Sequence, residues 1–141
     1  MTTILVAAEA KWVRDQVRSA FVSPGQEVVE VTRGQDVRAK VAELEPDLVV
    51  LDLQIGNMGG MAACMSIRLE EGIGNLPRLP VLMLLDRHDD VFLADRSDAE
   101  GWLIKPLDAF RLRRACAALL VGDQVREGVE TPAEVTAPET A

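Results

Sequence analysis

The chain has few of the residues from which zinc sites and nucleic-acid-binding faces are built. Among its 141 residues there are one histidine and two cysteines, Cys64 and Cys116. These are too few and too widely spaced for a zinc site, and we interpret both cysteines as small core residues that form no disulfide. Acidic residues outnumber basic ones by 23 to 15, so the net charge is −8. We therefore expect no direct contact with nucleic acid, whose phosphates require a basic face.

Long apolar runs are also missing. None approaches the roughly 20 residues that a membrane-spanning helix needs, so we expect no membrane partner. The apolar run in MTTILVAAEAKW has no charge before it and ends early at Glu9, which predicts a first strand rather than a signal peptide. We therefore expect a cytoplasmic protein. The apolar periodicity stops at Gly122, which predicts one domain over residues 1–121 and a disordered acidic tail over residues 122–141.

Five apolar segments alternate with five amphipathic ones. The predicted strands are residues 2–8, 27–31, 47–52, 80–85 and 101–104. The predicted helices are residues 11–22, 35–44, 60–71, 88–96 and 107–121. Apolar strands alternating with amphipathic helices are typical of a parallel sheet covered on both faces. With right-handed crossovers, the pattern predicts an α/β, doubly wound, flavodoxin-like fold with five parallel strands in the order 2-1-3-4-5.

Charged residues lie at the carboxyl ends of four of the predicted strands: Glu9, Asp52, Asp86 and Lys105. In a sheet of this kind, functional groups gather at the carboxyl ends of the strands. Carboxylates together with phosphate oxygens are typical ligands of Mg²⁺. A lysine beside them can neutralise a phosphoryl group.

Four motifs in this order resemble the receiver domain of bacterial response regulators. They are ILVAAEAKWVR for the first strand and acidic turn, PDLVVLDLQIGNMGG for the phosphoacceptor strand and loop, LPVLMLLD for the fourth strand, and GWLIKPLDAFRL for the fifth. Each motif alone is weak, but four in order are a strong signal. The resemblance covers about residues 3–121 and implies the CheY-like (βα)5 fold.

The resemblance also implies a function. Asp52 would accept a phosphoryl group from a histidine kinase or another phosphodonor, and Lys105 would contact that group. Mg²⁺ would be held by Asp52, Glu9 and the backbone carbonyl of Gln54. The peptide bond before Pro106 would be cis. The protein would be no enzyme and would act through contacts with an output protein.

Several positions depart from the family pattern. Ala8 replaces the first of two adjacent acids and Glu9 the usual aspartate, so Mg²⁺ binding should be weak. Leu85 replaces the Ser or Thr whose hydroxyl bonds the phosphoryl group, and Asp86 adds a negative charge beside it. Trp102 stands at the aromatic switch position, without a hydroxyl at residue 85 to drive it. These changes predict a weakened switch.

Other roles for these residues stay open. Asp52 and Lys105 could form a plain ion pair, and Glu9 could lie at a helix N-terminus because the helix dipole favours it there. Trp102 could serve packing alone, and Asp86 could be a helix N-cap.

We interpret the chain as an atypical, stand-alone response regulator of a phosphorelay. The alternative is a receiver-like adaptor that works without phosphorylation. A flavin-binding protein or a phosphohydrolase is a remote third reading, because AAEAKW offers no hydroxyl for a phosphate loop and Gln54 stands where such a phosphatase needs a second aspartate. We expect partners, including a second copy, to dock on the fourth helix, fifth strand and fifth helix, with Arg111 and Arg114 beside Glu100.

Overall fold

The computed structural model describes residues 1–128. Its strands are β1 (Thr2–Ala7), β2 (Gln26–Val31), β3 (Leu48–Asp52), β4 (Val81–Leu85), β5 (Gly101–Ile104) and β6 (Val125–Arg126). Its helices are α1 (Lys11–Ala20), α2 (Val37–Leu44), α3 (Gly60–Gly72), α4 (Val91–Arg96) and α5 (Ala109–Leu120). Short 3-10 turns at Gly34–Asp36 and His88–Asp90 precede α2 and α4, which is why these helices begin later than predicted. Within the described residues, no helix is long and apolar enough to cross a membrane.

The six strands form one parallel sheet in the order β2-β1-β3-β4-β5-β6. The predicted α/β class and the order of the first five strands are confirmed, but the prediction of five strands is wrong by one. The additional strand β6 pairs Val125 with Gly101 and Arg126 with Trp102. A two-residue strand is too short to show any hydrophobic alternation, so the sequence pattern could not reveal it. The remaining part of the predicted disordered tail, residues 129–141, lies outside the described residues.

The sheet is buried on both faces because successive side chains of a strand point to opposite sides. Helices α2, α3 and α4 cover one face, where Leu5, Val49, Leu51 and Met83 form the core. Helices α1 and α5 cover the other, where Ile4, Val6, Val50 and Leu82 pack. Each fully buried aliphatic side chain of this size contributes about 1.5–3 kcal/mol to folding.

The two cysteines lie on opposite faces of the sheet, as predicted. Cys64 packs under the α2–α4 face and Cys116 under the α1–α5 face, and both are free thiols. Burial raises the pKa of each thiol to about 12.

The strand order places a crevice between β1 and β3. From β1 the chain crosses to β2 on one side and then returns to β3 on the other. The two adjacent connections leave the sheet in opposite directions, and this is the point where doubly wound folds bind their ligands. Asp52 ends β3 and Glu9 follows β1, so the fold brings both acids to this crevice.

Candidate functional site

The centre of the site is an ion pair between Asp52 and Lys105. The Asp52 side chain is 4% exposed. The Lys105 Nζ lies 3.0 Å from Oδ1 and 3.2 Å from Oδ2 of Asp52. The backbone N–H of Gln54 also donates to Asp52 Oδ1, at 3.0 Å. The prediction that Asp52 and Lys105 meet at the carboxyl edge of the sheet is therefore confirmed.

The backbone on either side of Lys105 fixes the position of this residue at the end of β5. Its backbone N–H donates to the carbonyl oxygen of Leu85 at 2.8 Å, which continues the β4–β5 pairing by one residue. The Lys105–Pro106 peptide bond is cis, as predicted. The strand pairing thus places the start of the lysine side chain at the end of β4, from where the ammonium reaches Asp52.

Asp86 is a second partner of the same lysine. Its Oδ1 lies 2.6 Å from the Lys105 Nζ, and its side chain is 43% exposed. The alternative that Asp86 caps a helix is wrong, because Arg87 occupies the N-cap of the 3-10 turn that follows. Lys105 is therefore shared between a buried carboxylate and an exposed one.

Glu9 reaches the site from the β1–α1 turn. Arg14 pins this turn by donating to the carbonyl oxygens of Ala8, at 2.9 Å, and Glu9, at 2.7 Å. The Glu9 carboxylate lies against Gly56 so closely that a Cβ on that glycine would be 2.7 Å from Oε2. Gly56 thus leaves the space that this longer acid occupies.

The β3–α3 loop is held in place beside Asp52. Its carbonyl oxygens at Gly56 and Asn57 accept hydrogen bonds, both of 2.9 Å, from the N–H groups of Gly34 and Gln35. At the other end of the loop, a Cβ on Gly60 would lie 2.5 Å from the carbonyl oxygen of Asp52. Glycine at position 60 therefore lets α3 begin directly against the end of β3.

These groups line one open cleft of about 300 Å³. Its lining residues are Glu9, Ala10, Trp12, Asp52, Gln54, Asp86 and Lys105. Sequence reasoning missed Trp12, whose ring centroid lies 5.5 Å from the Lys105 Nζ, within cation–π range. Its place in the first turn of the helix after β1 was the signal that could have identified it.

The cleft offers hard oxygen donors suited to Mg²⁺. Three carboxylates and one ammonium line it, so negative charge is in excess. Asp52, Glu9 and the Gln54 carbonyl match the oxygen ligands that Mg²⁺ takes together with several waters. No cluster of three or more acidic, histidine or cysteine side chains that could hold a metal occurs within residues 1–128. The oxygen donors that line the cleft fit a hydrated divalent ion.

Three of the positions that depart from the family pattern or belong to its switch are fully buried: Ala8, Leu85 and Trp102. Ala8 packs under the α1–α5 face and Leu85 under the α2–α4 face, both with no exposed surface. Trp102 is likewise fully buried. Its indole N–H donates to the backbone carbonyl of Glu127 at 2.8 Å.

Sequence reasoning also missed Glu127, which it assigned to a disordered tail. Its carboxylate accepts hydrogen bonds from the Ile104 N–H at 2.8 Å and from Arg111 at 2.5 Å. The prediction that Arg111 lies beside Glu100 is wrong. Glu100 precedes β5 at the amino edge of the sheet, where it pairs with Arg68 and Arg78.

The chain is similar to known proteins over most of its length. Residues 4–117 match the family model of the response regulator receiver domain. The DNA-binding dual master transcriptional regulator RpaA of Synechocystis sp. is 28% identical over 120 residues, which are 85% of this chain and 49% of that protein. The DNA-binding response regulator MtrA of Mycolicibacterium smegmatis is 28% identical over 134 residues, which are 94% of this chain and 54% of that protein. The chain spans about half the length of these curated relatives.

Solved structures show the same fold. A two-component response regulator of the LuxR family from Aurantimonas sp. SI85-9A1 superposes with a TM-score of 0.75 at 25% identity, covering 99% of both chains. The Vibrio cholerae chemotaxis protein CheY4 superposes with a TM-score of 0.72 at 22% identity, covering 83% of this chain and 97% of that one. The chain therefore belongs to the response regulator receiver domain family of two-component signalling.

Proposed function

We propose that this chain is an atypical receiver domain in which Asp52 is the phosphoacceptor and a histidine kinase is the phosphodonor. The observation that carries the proposal is the buried Asp52 carboxylate at the end of β3, with the Lys105 ammonium 3.0 Å away. Receiver domains are generally signalling domains rather than enzymes. We infer that the output passes to another protein.

In the proposed reaction, a carboxylate oxygen of Asp52 attacks the phosphorus atom of the donor. The new bond makes an acyl phosphate, and the bond from phosphorus to the leaving group breaks, with its electrons departing on the imidazole or acetate. Lys105 stabilises the negative charge of the phosphoryl oxygens during the transfer. Receiver domains typically bind Mg²⁺ at an acidic pocket. The ion, held by Asp52, Glu9 and the Gln54 carbonyl, would supply further charge neutralisation.

Two features of the site should make this reaction slow and its effect on shape small. Asp86 competes for Lys105 at 2.6 Å and adds a negative charge near the incoming group. Leu85 has no hydroxyl to bond the phosphoryl group. A bound group shifts a conformational equilibrium only by its differential affinity for the two states. Without that hydroxyl, the phosphoryl group has one contact fewer with which to favour the active state.

The direct test is intact-mass measurement after treatment with acetyl phosphate, with and without Mg²⁺. We expect the mass of one phosphoryl group to be added slowly and only when Mg²⁺ is present. Asp52→Asn should abolish the addition. The matched control is Asp15→Asn, because Asp15 is an exposed partner of Lys11 away from the cleft. Labelling that persists in Asp52→Asn would refute the assignment.

The weakened switch can be tested through Leu85→Thr. In a Trp12→Phe background, Trp102 is the remaining tryptophan, since the chain has two. The restored hydroxyl should enlarge the change in Trp102 fluorescence caused by a beryllofluoride phosphoryl mimic. A full response already present with Leu85 would show that the switch is not weakened.

An adaptor that works without phosphorylation is the second candidate. The pairing of Lys105 with Asp86 favours it, because this pair engages the cation that would otherwise meet the phosphoryl group. Under this alternative, neither acetyl phosphate nor a kinase labels Asp52, and Asp52→Asn leaves partner binding unchanged. Binding that requires Asp52 would exclude it.

We propose a protein rather than DNA as the output partner. The names of the two curated relatives describe DNA-binding regulators. This chain, however, carries a net charge of −8. Such a charge opposes the phosphate contacts on which nucleic-acid affinity depends. Fluorescence anisotropy with duplex DNA at low salt should show no binding, and saturable binding would refute this part of the proposal.

A further inference from the structure

The surface formed by α4, β5 and α5 is covered by the chain itself. Residues 123–128, which we call the C-terminal strap, run along the outer edge of β5 and include β6. The strap is alternately half-buried and exposed: Val125 and Glu127 face the domain, while Gln124 and Arg126 are exposed. The strap therefore lies on the surface where docking of partners was expected.

Four of the polar contacts that hold the strap involve Glu127 or Gly128, and they come from three different parts of the domain. The Trp102 indole N–H of β5 donates to the backbone carbonyl oxygen of Glu127 at 2.8 Å. The Ile104 backbone N–H, also of β5, donates to the Glu127 carboxylate at 2.8 Å. Arg111 of α5 donates to the same carboxylate at 2.5 Å. The His88 ring Nε2 donates to the carbonyl oxygen of Gly128 at 2.8 Å. The domain thus presents donors matched to one acidic residue and its backbone.

Two glycines make the fit possible. A Cβ on Gly101 would lie 2.8 Å from the carbonyl oxygen of Val125, so a side chain there would push the strap away. Gly128 has a φ of +77°, which glycine adopts most readily, and a Cβ there would lie 2.6 Å from the His88 ring. A glycine on β5 and a glycine in the strap thus both allow the close approach of the two segments.

The strap contacts the domain mainly along the edge of β5, with a cavity on each side of it. A cavity of about 540 Å³ separates it from α5 on one side, where Arg114 and Ala118 form part of the wall. A second cavity of about 470 Å³ lies on its other side, towards Phe92 of α4. Between these cavities the strap is held by Glu127, by its pairing with β5 and by Val125, which packs against the apolar α1–α5 face.

We propose that the α4–β5–α5 surface is a binding site for an extended acidic segment and that the chain's own strap occupies it. A partner reaches the β5 edge and Trp102 only after the strap has left. The partner class that fits is a protein that adds an extended strand to β5 and supplies a carboxylate to Arg111, as in other cases of strand addition. This goes beyond the proposed phosphorylation and does not depend on it.

The test is made on the full chain in the Trp12→Phe background, without any phosphodonor. Glu127→Ala removes the carboxylate from the strap. Gly101→Ala places a methyl group on β5 where the strap lies, without removing a polar group. Both should expose Trp102, giving a red-shifted emission and stronger quenching by acrylamide. Amide exchange at Ile104 should be about tenfold faster, which corresponds to about 1.4 kcal/mol. The control is Glu43→Ala, an exposed carboxylate on α2 that pairs with Lys40.

Circular dichroism should show that each variant stays folded, so that exposure of Trp102 reports on the strap. Unchanged quenching and exchange in both Glu127→Ala and Gly101→Ala would overturn the proposal. The proposal would also be overturned if acrylamide quenching of Trp102, measured with the strap unaltered, depended on protein concentration. The strap on this surface would then come from a second copy of the chain. Since the readout needs no phosphoryl group, it stands even if Asp52 is never phosphorylated.

Discussion

Replacing Lys105 with methionine should destabilise the protein more than replacing Asp52 with asparagine. Methionine keeps an unbranched apolar stem but removes the ammonium that lies 3.0 Å from Asp52. The Asp52 carboxylate is 4% exposed and would stay buried. Among the described residues, the Gln54 N–H would be its remaining hydrogen-bond donor. In Asp52→Asn, by contrast, Lys105 keeps Asp86 as a charged partner at 2.6 Å.

The two costs can be estimated from this asymmetry. Removing one partner of a buried ion pair costs about 3–5 kcal/mol. Because Gln54 still donates to Asp52, we expect the low end for Lys105→Met, about 3 kcal/mol. For Asp52→Asn we expect about 1 kcal/mol, the size of one net hydrogen bond. The double variant, Lys105→Met with Asp52→Asn, leaves no buried charge without a partner. Its cost should therefore fall below the sum of the single costs by roughly 1–2 kcal/mol.

Urea unfolding at pH 7 measures these costs. With a slope of about 1–3 kcal/mol per molar, a loss of about 3 kcal/mol lowers the midpoint by roughly 1–3 M. Lys11→Met is the matched control, because Lys11 and Asp15 form an ion pair that is 79% and 55% exposed. Its cost should stay below about 1 kcal/mol. Equal losses for the two single variants, or strict additivity in the double variant, would refute the reasoning.

Three further predictions follow from other groups. Glu9→Gln should weaken Mg²⁺ binding in calorimetry by about fivefold, as expected from about 1 kcal/mol of lost attraction in a solvated cleft; unchanged affinity would remove Glu9 from the ligand set. Folding lowers the pKa of Glu30, above all through its hydrogen bond to Arg18. Glu30→Gln should therefore reduce stability more at pH 7 than at acid pH, because the carboxylate's contribution is fully present above its unfolded pKa of 4.5 and is lost as pH falls through its lower folded pKa. Burial raises the pKa of Cys64 and Cys116 to about 12, so neither thiol should react with a disulfide reagent at pH 8 until urea is added. The stability contributed by these protonated thiols should be complete below their unfolded pKa of 9.0 and decline as pH rises towards 12. Rapid labelling of the native protein would contradict their burial.

The site was predictable where side-chain position follows from strand order alone. Asp52 and Lys105 end two parallel strands, and parallel strands end at the same edge of a sheet, so their meeting required no knowledge of side-chain direction. The opposite placement of Cys64 and Cys116 followed in the same way from the crossovers of their helices.

Asp86, Glu9 and Gly56 needed the tertiary structure. Asp86 follows its strand by one residue, and the path of the chain beyond the sheet decides whether its carboxylate turns towards Lys105 or away. The pairing of the Glu9 carboxylate with Gly56 joins two loops that are distant in the sequence. Composition and periodicity do not report such contacts.

The sequence by itself determined the class of fold, the order of five strands and the acid at the end of the central one. The class of fold rests on hydrophobic periodicity, which repeats along each element and is therefore readable without coordinates. The strand order follows from the doubly wound fold that this pattern predicts. The tertiary structure alone decided that the chain returns to form β6 and that the Glu127 carbonyl accepts a hydrogen bond from the Trp102 indole. A two-residue strand carries no period, and the groups that hold it, Ile104 and Arg111, become its partners only after β5 and α5 have packed together.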